Sequence, residues 1–313
     1  MVVREISQDD AQRRYWTFYE AINFNLKNNT TKAIHSPSVL TICVDHNPPM
    51  HTIGELNGHP EMINRLIVIA WFTFVSVTSV FFFLIALVIR LLSWPFDPRL
   101  KILQQFTCFW ASLYTWIIPA WRIRVEGREK IVRNRTYVVV SNHQSLLDIL
   151  VLFNLFFHFK FVSKIEIFRV PLIGWNMYLN RYIRLKRGDR ESVKQMMADA
   201  RQALSEGNSI LIFPEGSRSP DGRIKPFKPG AFILAKDMQV PILPIVITGT
   251  NAALPKYSID FHGSHDIRIR VLNEIPYEHF AHMSVEETSD MVRALLIEAV
   301  SGTQSPSGSP KTT

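Results

Sequence analysis

Hydrophobic positions are unevenly spread along this chain. The 24 residues from Leu66 to Ile89 carry no charge, and Arg65 and Arg90 bracket them. At about 1.5 Å per helical residue, such a run suffices to cross a hydrocarbon core of about 30 Å. A buried core helix is the competing explanation, but it needs a polar face, and none is present. The run predicts a membrane helix over 66–89. It lies too far along the chain and is too long for a cleaved signal peptide.

The turn-rich, basic joint "LLSWPFDPRLK" follows. Apolar and aromatic residues then return from Ile102 to Trp121, with Trp110, Trp116 and Trp121 interrupted by Gln104 and Gln105. This stretch reads either as an interfacial helix, because Trp and Tyr favour the headgroup zone, or as a second crossing.

Beyond residue 121 the pattern changes to short alternating segments. "WRIRVEG", "TYVVVSN", "FKFVSK", "YIRLKR", "SILIFPEG", "PILPIVITG" and "DIRIRVLNEI" read as strands. Between them, "SLLDILVLFNLFF", "IFRVPLIGWNMYLN", "RESVKQMMADARQALSEG", "GAFILAKDM" and "SVEETSDMVRALLIEAV" have helical length and spacing. Strands alternating with helices predict a layered αβα domain around a mainly parallel sheet, an α/β fold. The organisation is therefore an accessory region over 1–65, a membrane helix over 66–89, and a joint with the Trp-rich segment over 90–121. The α/β domain covers 122–300, and the low-complexity tail 301–313 reads as disordered.

Charge sharpens this picture. The chain has 313 residues, 35 Lys or Arg and 27 Asp or Glu, a formal +8. Residues 1–89 hold six basic and seven acidic side chains, so the remainder carries +9. A basic body behind a membrane helix suits anionic lipid or a phosphorylated substrate. Nucleic acid fits poorly, because the basic run "RYIRLKRGDR" lacks interleaved stacking aromatics. The cysteines, Cys43 and Cys108, have no CxxC spacing and give neither a disulfide framework nor a zinc site. His35, His46, His51 and His59 are irregularly spaced with no supporting carboxylate pattern, and they read as part of a solvated loop region. No metal and no cofactor is expected. No GxSxG, Walker loop, GxGxxG or HExxH occurs.

Candidate chemistry lies in four stretches. In "SNHQSLLD" a strand runs into a polar turn and then an apolar helix. His143 and Asp148 are five apart, about 140° around a helix, and cannot share a face. They meet only if His143 sits in the turn and reaches back over the first helical residues. Asp148 would then accept the Nδ1 hydrogen and leave Nε2 free as a base. A capping turn with an incidental His is the other reading. In "FPEGSRS", Glu215, Gly216, Ser217 and Arg218 follow a strand, at the end where α/β folds place ligands. Gly216 permits a tight turn and Arg218 suits a phosphate, although a glycine turn with surface charges reads equally. "RYIRLKRGDR" supplies Arg181, Arg184, Lys186, Arg187 and Arg190. "VPILPIV" places Pro241 and Pro244 in one strand, which points to an edge strand or a bent wall.

Taken together, "NHQSLLD", "YIRLKR", "FPEGSRS" and "VPILPIV" resemble, in order, the four blocks of the glycerolipid acyltransferases of the 1-acylglycerol-3-phosphate acyltransferase type. The resemblance covers roughly 90–285. Lys164, Pro171 and Gly174 before the second block, and "PFKPGAF" after the third, add to it. Ser217 stands where the family usually has Thr, Arg181 where a Gly is usual, and Arg184 is an additional charge.

The resemblance implies a membrane-bound acyltransferase that acylates lysophosphatidic acid, or a related lysolipid, from acyl-CoA or acyl-carrier protein. It implies His143 as general base, Asp148 as its orienting carboxylate and no covalent acyl-enzyme. Arg187 and Arg218 would hold the acceptor's phosphate, with Glu215 and Gly216 shaping that site, and Pro241 and Pro244 would line the acyl-donor side. The enzyme would be integral to the membrane. Arg90, Arg99 and Lys101 after the apolar run would place the catalytic domain in the cytoplasm, against Arg65 on the other side. The alternative from another class is a lipid-binding membrane protein without catalysis, which would not require both His143 and Asp148.

Overall fold

The computed structural model describes residues 59–255 and 264–304. The greater part of the 1–65 region, with His35, His46 and His51, and all but the first residues of the 301–313 tail, lie outside these.

The apolar run lies within one helix, α1 (His59–Ser93), which extends past both predicted ends. Among the described residues it alone is long and apolar enough to cross a membrane, with mean hydropathy 2.6 over Ile69–Ser93. A tight turn leads to α2 (Lys101–Trp116). The Asp97 Oδ2 accepts the Ile102 N–H at 2.7 Å and so caps the first turn of α2. α2 lies antiparallel to α1: the Tyr114 hydroxyl meets Thr78 and Ser79, Phe82 meets Phe106 and Trp110, and Ala86 packs with Leu103. The other side of α2 buries Cys108 and Ala111 in the domain core. α1 keeps an outward face of exposed Leu66, Ile69, Val77, Phe81, Leu84, Val88 and Leu91.

The α/β domain is built on β1 (Trp121–Glu126), β2 (Val138–Ser141), α3 (Leu147–Leu152), β3 (Phe159–Lys164), α4 (Ile173–Leu179), β4 (Ile183–Leu185), α5 (Arg190–Ser205), β5 (Ser209–Ile212), α6 (Gly230–Asp237), β6 (Ile242–Thr248), α7 (Thr250–Ala253), β7 (His265–Val271), α8 (Tyr277–Phe280) and α9 (Val285–Gln304). The sheet order is β1-β7-β6-β2-β5-β3-β4. From β6 to β4 every pairing is parallel, and the single antiparallel pairing joins β6 to β7. The mainly parallel sheet expected from the alternating segments is present.

Both faces of the sheet are covered, which is why its central strands read as continuous apolar runs. Val139, Leu211, Leu243, Ile245 and Ile247 point into one core with α2 and α3. Val138, Val140, Ile210, Ile242 and Val246 point into the other with α5, α6 and α9. Alternation along each strand thus divides one sequence run between two layers.

Two helices are shorter than their sequences suggest. The α-helical part of "SLLDILVLFNLFF" ends at Leu152 and tightens into a 3₁₀ turn over Phe153–Leu155, stopped by Phe156 at φ 50°. In "IFRVPLIGWNMYLN" a 3₁₀ turn (Ile167–Arg169) precedes Pro171, and α4 starts only at Ile173. Pro171 holds Val170 extended, which separates the two. Gly174 is required where they touch, because a Cβ there would lie 2.3 Å from the Phe168 carbonyl oxygen.

The edge-strand expectation for "VPILPIV" is corrected: β6 is interior, with β2 on one side and β7 on the other. The Pro241 carbonyl accepts the Val138 N–H, so odd-numbered β6 groups near this end face β2. Ile242 exchanges bonds with Ile275 on the opposite side, and the Pro244 carbonyl accepts from Leu272. The missing Pro244 N–H therefore falls on the β7 side, just beyond the last ladder pair, Ile245 with Val271. No bond to β2 is lost.

Candidate active site

β2 ends at Ser141, and the next residue fixes the turn. The Asn142 side chain donates to the Ile247 carbonyl at 2.8 Å and accepts the Ile247 N–H at 2.8 Å. This amide pair ties the exit of β2 to β6, so the chain leaves the sheet at a defined point.

His143 follows. Its backbone N–H donates to Glu215 Oε1 at 2.8 Å, and its carbonyl accepts the Ser219 N–H at 2.8 Å. The loop after β5 thus holds His143 by both main-chain groups. The imidazole stacks on Phe213, with centroids 4.2 Å apart and planes 20° from parallel.

Asp148 lies in the first turn of α3 with no exposed surface. Its Oδ2 accepts from His143 Nδ1 at 2.8 Å, from the Gln144 N–H at 2.6 Å and from the Ser145 N–H at 2.9 Å. Its Oδ1 accepts from the Thr250 hydroxyl at 2.6 Å. The carboxylate faces donors only, two of them peptide N–H groups at a helix start, which is the setting that suits a negative charge. Nδ1 is thereby held as the protonated nitrogen. Nε2 makes no hydrogen bond among the described residues, and the His143 side chain keeps 10% of its surface exposed. The imidazole sits in the turn and reaches back to Asp148 through Nδ1, the contact that the base-and-orienter reading of "SNHQSLLD" requires.

Glu215 is buried, and burial raises its carboxyl above the ordinary value of 4.5 against the opposing His143 and Lys225 N–H groups. Its Oε2 accepts the Lys225 N–H at 3.2 Å. Both oxygens accept backbone N–H groups, so Glu215 shapes the loop. Gly216 has φ 68°, the left-handed region that favours glycine, with Lys228 packed over it. Lys225 Nζ donates to the Ser217 hydroxyl at 2.7 Å and to the Arg218 carbonyl at 3.0 Å. Arg218 is half-buried on the same loop.

His143, Asp148, Glu215, Gly216, Ser217 and Arg218 therefore come together at the rim formed by the β2 and β5 C-termini. Arg187 lies on this rim, exposed, beyond β4. Three strand spacings separate β4 from β2, about 14 Å of backbone. Pro241 is at the opposite rim, where β6 begins, and Pro244 is buried mid-strand beside Val140. Thr250, Lys225 and Asn142 were not singled out from sequence. Thr250 lies 102 residues from Asp148 and carries no local signal, whereas Lys225 adjoins the "PFKPGAF" stretch.

A family model for acyltransferases matches residues 122–248. The chain is 39% identical over 176 residues to a chloroplastic 1-acyl-sn-glycerol-3-phosphate acyltransferase of Arabidopsis thaliana, covering 56% of this chain and 49% of that one. It spans about half the length of the chloroplast relatives it matches. It is 30% identical over 242 residues to the 1-acyl-sn-glycerol-3-phosphate acyltransferase of Limnanthes douglasii, covering 76% of this chain and 83% of that one. Among solved structures, the 1-acyl-sn-glycerophosphate acyltransferase of Thermotoga maritima shares the fold, with TM-score 0.65 and 24% identity, over 80% of this chain and 99% of that one.

Proposed function

The chain belongs to the acyltransferase family of these 1-acyl-sn-glycerol-3-phosphate acyltransferase relatives, and from that premise we propose that it acylates lysophosphatidic acid to phosphatidic acid at a membrane. The observation that carries this reading is the free Nε2 of a histidine whose Nδ1 is held by a buried carboxylate.

His143 Nε2 takes the proton of the acceptor's glycerol hydroxyl as its oxygen attacks the thioester carbonyl carbon. Asp148 offsets the positive charge that develops on the ring. The tetrahedral intermediate collapses with loss of the thiolate, and the imidazolium returns the proton to that sulfur. The products are phosphatidic acid and a free thiol, with no acyl-enzyme. General-base assistance of this kind is worth roughly 10² to 10⁴ in rate. Acyl-CoA or acyl-carrier protein is the donor.

The acceptor's phosphate is held by Arg218 on the His143-gripping loop, with Arg187 approaching along the rim. Always-charged, fork-shaped donors suit a phosphate monoester. The acyl chains come from the bilayer, which the outward apolar face of α1 meets. α1 is integral, and Arg90, Arg99 and Lys101 put the domain on the cytoplasmic side. Placement of an impermeant thiol label on a cysteine introduced at Gly222 in intact cells would reverse that orientation.

The test is an acceptor panel. Lysate of a strain lacking its own acyltransferase, supplied with this chain, is given labelled lysophosphatidic acid and other lysolipids with acyl-CoA. Acylation of lysophosphatidic acid, lost in His143→Ala, is the expected result. Acylation of another lysolipid in its place would change the acceptor. No acylation of any would leave a lipid-binding protein.

A further inference from the structure

The rim opposite His143 carries a second basic site. A cavity of about 170 Å³ opens at the foot of α1, lined by Arg90, Trp94, Asp97, Pro98, Leu100 and Arg181. At about 30 Å³ per water molecule, a tetrahedral anion with some of its hydration fits there.

Four observations bear on what it takes. The Arg90 guanidinium carbon lies over the Trp94 ring, 4.7 Å from its centroid. Arg181 makes no side-chain hydrogen bond or ion pair among the described residues, yet it stands at φ 54°. A Cβ is strained in that conformation, so the position favours glycine. Behind the pocket Lys160 is buried and donates to the Arg99 carbonyl at 3.2 Å. Burial, and then the nearby Arg181 charge, push its ammonium down to about 7. Asp97 is the one acid lining the cavity, and its Oδ2 is committed to the Ile102 N–H. Two arginines thus line the cavity with one carboxylate, and Lys160, close to Arg181, also feels Asp97 and Glu206.

The surroundings are apolar. Leu91, Leu92, Trp94 and Phe96 are exposed at and just past the end of α1, and Trp94 lines the cavity. Exposed Trp and Phe beside arginine at the end of a membrane-length helix mark headgroup depth.

The site is separate from the acyl-transfer centre. Arg181 lies two residues before Ile183, which pairs with Val162, and Lys160, two residues before Val162, shares its partner Ile210 with Val138. His143 lies five residues further on, about 16 Å at 3.3 Å per residue, and β4 is three strands away, about 14 Å more across the sheet. The two sites are therefore roughly 20 Å apart.

We propose that this pocket binds the phosphate of an anionic phospholipid, clamping the foot of α1 and the start of β4 to the membrane surface. Arg90 and Arg181 hold the phosphate oxygens, and the lipid's chains lie against Leu91, Leu92 and Phe96. The added negative charge also offsets the crowding of Lys160 by Arg181.

The test uses the purified full chain in dodecyl maltoside micelles doped with phosphatidylglycerol, with phosphatidylcholine, or with inorganic phosphate alone. Thermal midpoint and lipid retained in native mass spectrometry are read. Phosphatidylglycerol should raise the midpoint and stay bound, and phosphatidylcholine should do neither. Arg181→Gly suits the backbone conformation and so keeps the fold. It should weaken phosphatidylglycerol binding roughly ten- to a hundredfold, as should Arg90→Gln. His143→Ala should bind the lipid as the wild type does. Retention unchanged in Arg181→Gly and Arg90→Gln would overturn the site. Equal stabilisation by inorganic phosphate, lost in Arg181→Gly, would overturn the lipid and make the occupant a soluble phosphate.

Discussion

Replacing Asp148 by asparagine isolates the charge of the orienting carboxylate from its geometry. Oδ2 receives three N–H groups, from His143, Gln144 and Ser145, so an amide NH₂ cannot sit there. The asparagine oxygen must take that place. Its NH₂ then faces the Thr250 hydroxyl, which donates to Oδ1 in the wild type and can turn to accept. The Nδ1 hydrogen keeps an oxygen partner, and the tautomer survives. What is lost is the negative charge beside a ring that, in the proposed mechanism, becomes cationic as the hydroxyl proton is taken. With 2.8 Å between the bonded atoms, the two charge centres lie about 4 Å apart. At an effective dielectric of about 20 that is about 4 kcal/mol, or roughly 10³ in rate. The amide dipole recovers part of this, so kcat/KM for lysophosphatidic acid should fall about 10² to 10³. His143→Ala, purified and assayed alongside it, should lose at least as much. A variant within about tenfold of wild type would refute the electrostatic role of Asp148. The thermal midpoint serves as the control for folding.

Asn142→Ala removes both bonds to the Ile247 peptide and leaves a buried N–H and C=O unpaired. A cost of about 2–4 kcal/mol is expected, seen as a fall of about 5–15 °C in the thermal midpoint. A fall of less than about 2 °C would mean that this amide does not tie β2 to β6. Thr250→Val leaves Asp148 Oδ1 without its donor, at about 1–3 kcal/mol, while Thr250→Ser should stay near wild type in both activity and stability. Lys160 has a folded pKa near 7 against 10.5 when free. The unfolded chain therefore holds a proton that the folded one lacks between those values, and this residue's contribution to stability rises with pH across that window and is lost below it. Lys160→Met should flatten that rise in denaturation midpoints taken from pH 7 to 10; an unchanged slope would show that Lys160 does not cause it.

What the sequence determined by itself is local. The membrane-length apolar run, the strand in "TYVVV", the amphipathic period of "RESVKQMMADARQALSEG" and the turn that sets His143 over Asp148 all depend on neighbours a few residues apart. Period and spacing encode such geometry directly. The short ends of α3 and α4 were less legible, because Phe156 at φ 50° and the Phe168 carbonyl against Gly174 are set by packing. Tertiary structure decided the rest. It gave Asp148 a partner for its other oxygen in Thr250 and made Glu215 a grip on the His143 backbone, with both its oxygens accepting peptide N–H groups. It placed "VPILPIV" inside the sheet, where the side facing β7 tolerates a proline without an N–H. It also spread one run of basic residues over opposite rims. Arg187 follows β4 and lies on the rim of His143, whereas Arg181 precedes β4 and lies at the foot of α1. A strand carries its two ends to opposite edges of the sheet, and only strand order and direction say what waits at each edge.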